Sequence, residues 1–100
     1  MNFNIFNFLP FQKFRIKENS MFPFLNPGDT VVVSKFGKIK IKDVVVFKIN
    51  KLTYIKRIEE NKNKKYFVIG DNKKESIDSR KFGWIEKKDI IGKVIYRISD

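Results

Sequence analysis

Short apolar, β-branched runs alternate along the chain with polar stretches that hold most of its glycines, asparagines and aspartates. KFRIK at 13–17 alternates. DTVVVSKF at 29–36, DVVVFKI at 43–49, LTYIKRIE at 52–59, KYFVIG at 65–70 and DIIGKVIYRI at 89–98 have the residue types of strands. Between them NPGD, FGKIKIKD, INK, ENKNKK and GDNKKESIDSR supply the residues that chain reversals need. No segment sustains an apolar period of three to four residues, so the pattern predicts an all-β fold or nearly so, a small barrel or two-layer antiparallel sheet.

One strand carries a residue out of place. In LTYIKRIE, Leu52, Tyr54, Lys56 and Ile58 fall on one face and Thr53, Ile55, Arg57 and Glu59 on the other. Lys56 interrupts the more apolar face. If that face turns inward, the ammonium loses solvation and its pKa falls, leaving a neutral amine near neutral pH. Otherwise the stem lies over apolar surface and the head stays in water.

One hundred residues make a single domain, and 42% hydrophobic content fills one core. The net charge of +11 suits an anionic partner, nucleic acid or lipid. Its lysines, however, are scattered among apolar residues rather than gathered in a block, and no specific nucleic acid is expected. The absences narrow the chemistry further. Without cysteine there is neither disulfide nor thiol nucleophile, and without histidine neither a Ser-His-Asp triad nor an imidazole-ligated metal. A hydrolase built from this chain needs a shifted carboxylate or a lysine of depressed pKa as its base. Ser20, in ENSMFPFLNPGDTVVV at 18–33, is then either a turn-capping serine or a nucleophile.

The Phe-rich opening, residues 1–12, is an expected arm or short interfacial anchor before a domain at 13–100. It lacks a basic leader and a small-residue cleavage site, and so is not expected to be a signal peptide. No apolar run reaches the length of about 18 residues that spans a bilayer. The expected location is cytoplasmic or at a membrane periphery.

Three segments in fixed order, NSMFP, YIKRI and GDNKKESIDSRKFG, resemble the serine-lysine proteases of the signal peptidase I family. The likeness runs over roughly 14–96, and within it the chain most resembles the short nickel-type superoxide dismutase maturation peptidases. It implies a minimal catalytic core in which Ser20 is the nucleophile and Lys56 the general base, with the Ser20 amide donating to the oxyanion. It further implies that the Ser76 hydroxyl steadies the lysine, that Arg57, Asp71, Asp78 and Arg80 brace the site by ion pairs, and that Met21 and Pro23 shape the nucleophile turn. The implied substrate is a protein precursor, bound in extended form, that loses an N-terminal signal or leader segment; neither metal nor organic cofactor is required.

Three positions depart from the family's pattern. Glu18 stands two residues before the nucleophile, where relatives often have a small or hydroxylated residue. A carboxylate facing the oxyanion would be repulsive, so Glu18 must point away or the hole must be completed otherwise. Phe24 stands where threonine is frequent, and Lys73-Lys74-Glu75 replaces a more familiar Arg-Asp-Asn. Two other readings remain: a non-catalytic basic β-domain whose lysines and aromatics meet nucleic acid or anionic lipid, and a self-cleaving repressor of the LexA-like kind. The second fits less well, since neither a DNA-binding domain nor a cleavage segment precedes the core.

Overall fold

The computed structural model describes residues 10–100, so all but the last three residues of the expected arm lie outside the described residues. The elements are β1 (Phe11–Arg15), β2 (Thr30–Ser34), β3 (Val44–Ile49), β4 (Leu52–Lys62), β5 (Lys65–Ile69), the single-turn helix α1 (Ser79–Phe82), β6 (Ile85–Glu86) and β7 (Ile90–Ile98), with 3-10 turns at Lys73–Glu75 and Lys87–Asp89. All strands join one antiparallel sheet in the order β1-β2-β7-β3-β4-β5-β6. The all-β expectation holds, and the sheet is open, with β1 and β6 at its edges.

Two hairpins reverse through two-residue turns. Asn50 and Lys51 have φ of 49° and 71°, and Asn63 and Lys64 have 52° and 62°. Positive φ at both central residues gives the backbone twist that matches flanking strands, and asparagine tolerates it well. The first turn fixes the β3–β4 register, which sets Lys56 opposite Val45; the second starts the β4–β5 register, which a bulge between Ile58 and Glu60 shifts so that Arg57 lies opposite Ile69.

Strand β3 lies between β7 and β4 and is buried on both faces, which explains its run of four apolar residues. Val44 and Val46 join Val31 and Val33 of β2 and Ile16, Met21 and Leu25 of the β1–β2 loop in one cluster. Val45 and Phe47 join Ile58, Tyr66, Val68 and Ile85 in another. The first cluster pulls the loop after β1 back over the sheet. Full burial of Met21 and Leu25 stabilises that placement by about 1.5–3 kcal/mol each. The loop's neck is closed by Ile16 N–H donating to Asp29 O at 2.8 Å and Gly28 N–H donating to Ile16 O at 2.8 Å.

Strand β1 starts at Phe11, earlier than the alternating run at 13–17 predicts, and Lys35 N–H donates to Pro10 O at 2.9 Å. Among the described residues no helix is long and apolar enough to cross a membrane.

Candidate active site

Ser20 sits in the tight turn at the crest of the β1–β2 loop. Phe22 N–H donates to Asn19 O and Leu25 N–H to Met21 O, at 3.2 and 2.9 Å, and the Phe22–Pro23 peptide is cis. Met21 faces the core while Pro23 is exposed. Beside the buried Met21, Ser20 is itself only 4% exposed.

Lys56 reaches the same point from the middle of β4. It shares a strand face with Tyr54 and Ile58, and its whole side chain is enclosed, 5% exposed, so the lysine does not stretch into water. Its Nζ donates to Ser20 Oγ at 2.7 Å, and the Tyr54 ring centroid lies 5.9 Å away. Tyr54 is fixed by stacking on Phe47 at 5.4 Å. Burial pushes the Lys56 amine below its ordinary value, against the opposing fields of Asp78 and Glu18, which favour the ammonium.

Asp78 is 1% exposed and saturated with donors. Its Oδ2 accepts from Gly70 N–H at 2.9 Å, Ser76 Oγ at 2.7 Å and Arg80 Nη2 at 3.0 Å; its Oδ1 accepts from Arg80 Nε at 2.9 Å and Arg80 N–H at 3.2 Å. Burial alone would raise this carboxyl, but Arg80, the two amides and the Ser76 hydroxyl hold it well below the usual carboxylate range. It is thus a fixed negative charge beside the amine. The resemblance has Ser76 steadying the lysine directly. Here the Ser76 hydroxyl donates to Asp78, and among the described residues the Lys56 amine makes its hydrogen bond to Ser20.

Arg57, on the opposite face of β4 from Lys56, forms a bidentate pair with Asp71 at 2.9 and 2.7 Å and donates to Lys42 O at 2.8 Å. Its guanidinium lies 4.9 Å from the Phe24 ring centroid, with Arg97 on the same ring at 5.5 Å. Phe24, a departure from the family's pattern, therefore ties the loop that carries Ser20 to the Arg57–Asp71 pair and to β7. Glu18 is exposed to solvent.

Some of the site was invisible in the strand pattern. Asn72 N–H donates to Ser20 O at 2.8 Å, and the side chains of Asn19 and Asn72 both donate to Glu75 Oε2, at 2.6 and 2.8 Å. Gly70 packs so closely that a Cβ there would overlap Ser76 Oγ and come within 2.7 Å of Ser20 O. Ser79 Oγ accepts from Val68 N–H at 2.8 Å, fastening the loop's far end to β5. The one sequence signal for these contacts is the Gly-Asp-Asn and Ser-x-Asp-Ser-Arg pair, three residues apart.

The sheet thus buries a lysine amine against a serine hydroxyl, beside a loop rich in ion pairs, in a chain that contains no histidine. The family model described as Peptidase S24-like matches residues 13–95, and the chain belongs to that family. Over 32 residues it is 53% identical to a signal peptidase I of Buchnera aphidicola subsp. Baizongia pistaciae, a match covering 32% of this chain and 10% of the relative. Over 33 residues it is 54% identical to a signal peptidase IB of Staphylococcus aureus, covering 33% and 17%. The matched stretches thus span a minor part of those longer proteins.

Proposed function

We propose that the protein is a serine endopeptidase in which Ser20 and Lys56 form the catalytic dyad, and that it removes an N-terminal signal or leader segment from a protein precursor. The observation that carries this reading is the 2.7 Å contact between two buried groups, Lys56 Nζ and Ser20 Oγ. Family membership supports a protein or peptide as substrate, and the names of the relatives support signal-segment removal.

In the active form the amine is neutral and accepts the Ser20 hydroxyl proton as Oγ attacks the scissile carbonyl carbon. The oxyanion accepts a hydrogen bond from the Ser20 N–H, which donates to no other group among the described residues. When the intermediate collapses, the C–N bond breaks and the Lys56 ammonium returns its proton to the leaving amine. Water, deprotonated by Lys56, then attacks the acyl carbon; the ester C–O bond breaks and the Lys56 ammonium returns the proton to Ser20 Oγ, releasing the acid product. Asp71, Asp78, Arg57, Arg80 and Ser76 hold the frame, and the substrate binds extended, by strand addition along the sheet. Resemblance to the nickel-type superoxide dismutase maturation peptidases makes a metalloenzyme precursor one candidate substrate, a secreted precursor the other.

The test is cleavage of precursor peptides by the protein and by Ser20→Ala and Lys56→Met. Each variant should keep the β-sheet circular dichroism spectrum and lose activity by at least about 1,000-fold, since a nucleophile or its base is removed outright. Cleavage surviving in Lys56→Met would overturn the dyad.

A further inference from the structure

We propose that Glu75 is a positioning residue for Ser20, its carboxylate acting as the shared acceptor that locks the nucleophile turn to the loop at 70–78. This rests on the dyad reading above and adds to it a residue that the family resemblance marked only as a departure.

Three hydrogen bonds join the two segments, and a fourth within the 70–78 loop closes the ring. Asn19 Nδ2 and Asn72 Nδ2 both donate to Glu75 Oε2, at 2.6 and 2.8 Å. Asn72 Nδ2 also donates to Asn19 O at 3.1 Å, and the Asn72 backbone N–H donates to Ser20 O at 2.8 Å. Glu75 is itself held by its own N–H donating to Asn72 O at 3.0 Å, at the end of the 3-10 turn. The ring thus grips the residue before the nucleophile by its side chain and the nucleophile by its carbonyl.

Lys56 is anchored independently, on a strand paired on both sides. The Ser20–Lys56 distance therefore depends on how firmly the turn is seated over β4. Core packing of Met21 and Leu25 and the contacts of Phe24 with Arg57 and Arg97 seat the loop as a whole. The hydrogen bonds of the Asn19 side chain and the Ser20 carbonyl are made with the 70–78 loop, and one Glu75 carboxylate oxygen accepts an amide from each segment. A misplacement of about 1 Å at a reacting group costs up to about 100-fold in rate.

The role differs from that of an electrostatic tuner. The fields that act on Lys56 come from Asp78 and Glu18. Glu75 is exposed, so its charge is screened, while its geometry is exacting.

The experiment compares Glu75→Ala, Glu75→Gln, Asn19→Ala and the double variant Asn19→Ala/Glu75→Ala with the full chain as it stands, reading kcat, KM, the pH profile and amide exchange at Asn72. Glu75→Ala should lower kcat about 10- to 100-fold with KM unchanged within about twofold and the acid limb of the pH profile unmoved. Glu75→Gln, whose amide oxygen still accepts both bonds, should recover most of that loss. The double variant should be no worse than the more impaired single one, because both remove the same ring. The Asn72 N–H, which donates to Ser20, should exchange faster in Glu75→Ala while Val46 in β3 does not. Wild-type kcat in Glu75→Ala, a shifted acid limb, additive losses, or no recovery with glutamine would each overturn the proposal. If the unaltered protein cleaves no peptide yet Asn72 exchange responds as described, the clamp stands and the peptidase reading falls; unchanged exchange in an active enzyme does the reverse.

Discussion

At the scale of single residues, the proposed dyad turns on the protonation of Lys56. Its amine is pushed below the ordinary lysine value of about 10.4 because burial strips the ammonium of water, and that effect outweighs the attraction of Asp78 and Glu18. Only the neutral amine can accept the Ser20 proton. Peptidase activity should therefore rise with pH through the folded-state pKa of Lys56 and level off above it. Glu18 favours the ammonium, so Glu18→Gln should move this acid limb to lower pH without lowering the plateau. A peptide-cleavage profile against pH measures both; a limb that stays put, or moves upward, removes Glu18 from the electrostatics of the site. The same variant addresses the concern that a carboxylate near the oxyanion is repulsive. Glu18 is turned to solvent, where its field reaches the amine but is weakened by water.

At the scale of elements, the two segments that carry chemistry were legible for different reasons. Lys56 stood out because alternation put a cation on an otherwise apolar strand face, and the structure buries that face at Lys56 and Ile58, half-buries it at Tyr54 and leaves Leu52, at the strand's start, exposed. Ser20 was legible only through the ordered motifs, since a serine in a turn has no periodicity to betray it. The bond between Asn19 and Glu75 joins positions 56 apart in sequence, and no local pattern encodes it. Strand β6 escaped notice because two residues are too short to alternate. Turns and strand types follow from local sterics, whereas loop-to-loop contacts depend on the assembled sheet. Gly70 illustrates the second kind. Its missing side chain lets the loop approach the Ser20 carbonyl, and Gly70→Ala would force Ser76 or Ser20 to move. That substitution should destabilise the fold by roughly 1–3 kcal/mol, the usual cost of overpacking, and remove most of the activity. Denaturant unfolding together with peptide cleavage reads both. An alanine variant with unchanged stability and rate would mean that the close approach is not needed.

At the scale of the whole molecule, the order of strands predicts how the domain comes apart. β3 is covered on both faces and paired on both sides, while β1 and β6 are edges. Hydrogen exchange should be slowest at Val45 and Val46 and fastest in β1 and β6, since local opening follows burial and pairing. Equal protection in β1 and β3 would contradict this ordering. The charge of +11, which at first suggests an anionic partner, is distributed over the chain. Within the site, cations and anions are matched instead, Arg57 with Asp71 and Arg80 with Asp78.

Ser20 and Lys56 are separated by 36 positions, and they meet only when the loop after β1 has closed over β4. Before that, a nascent chain presents a fully hydrated ammonium and a hydroxyl of no special reactivity. On the proposed dyad, cleavage is consequently a property of the folded sheet alone, and heat that melts the sheet abolishes it in the same stroke.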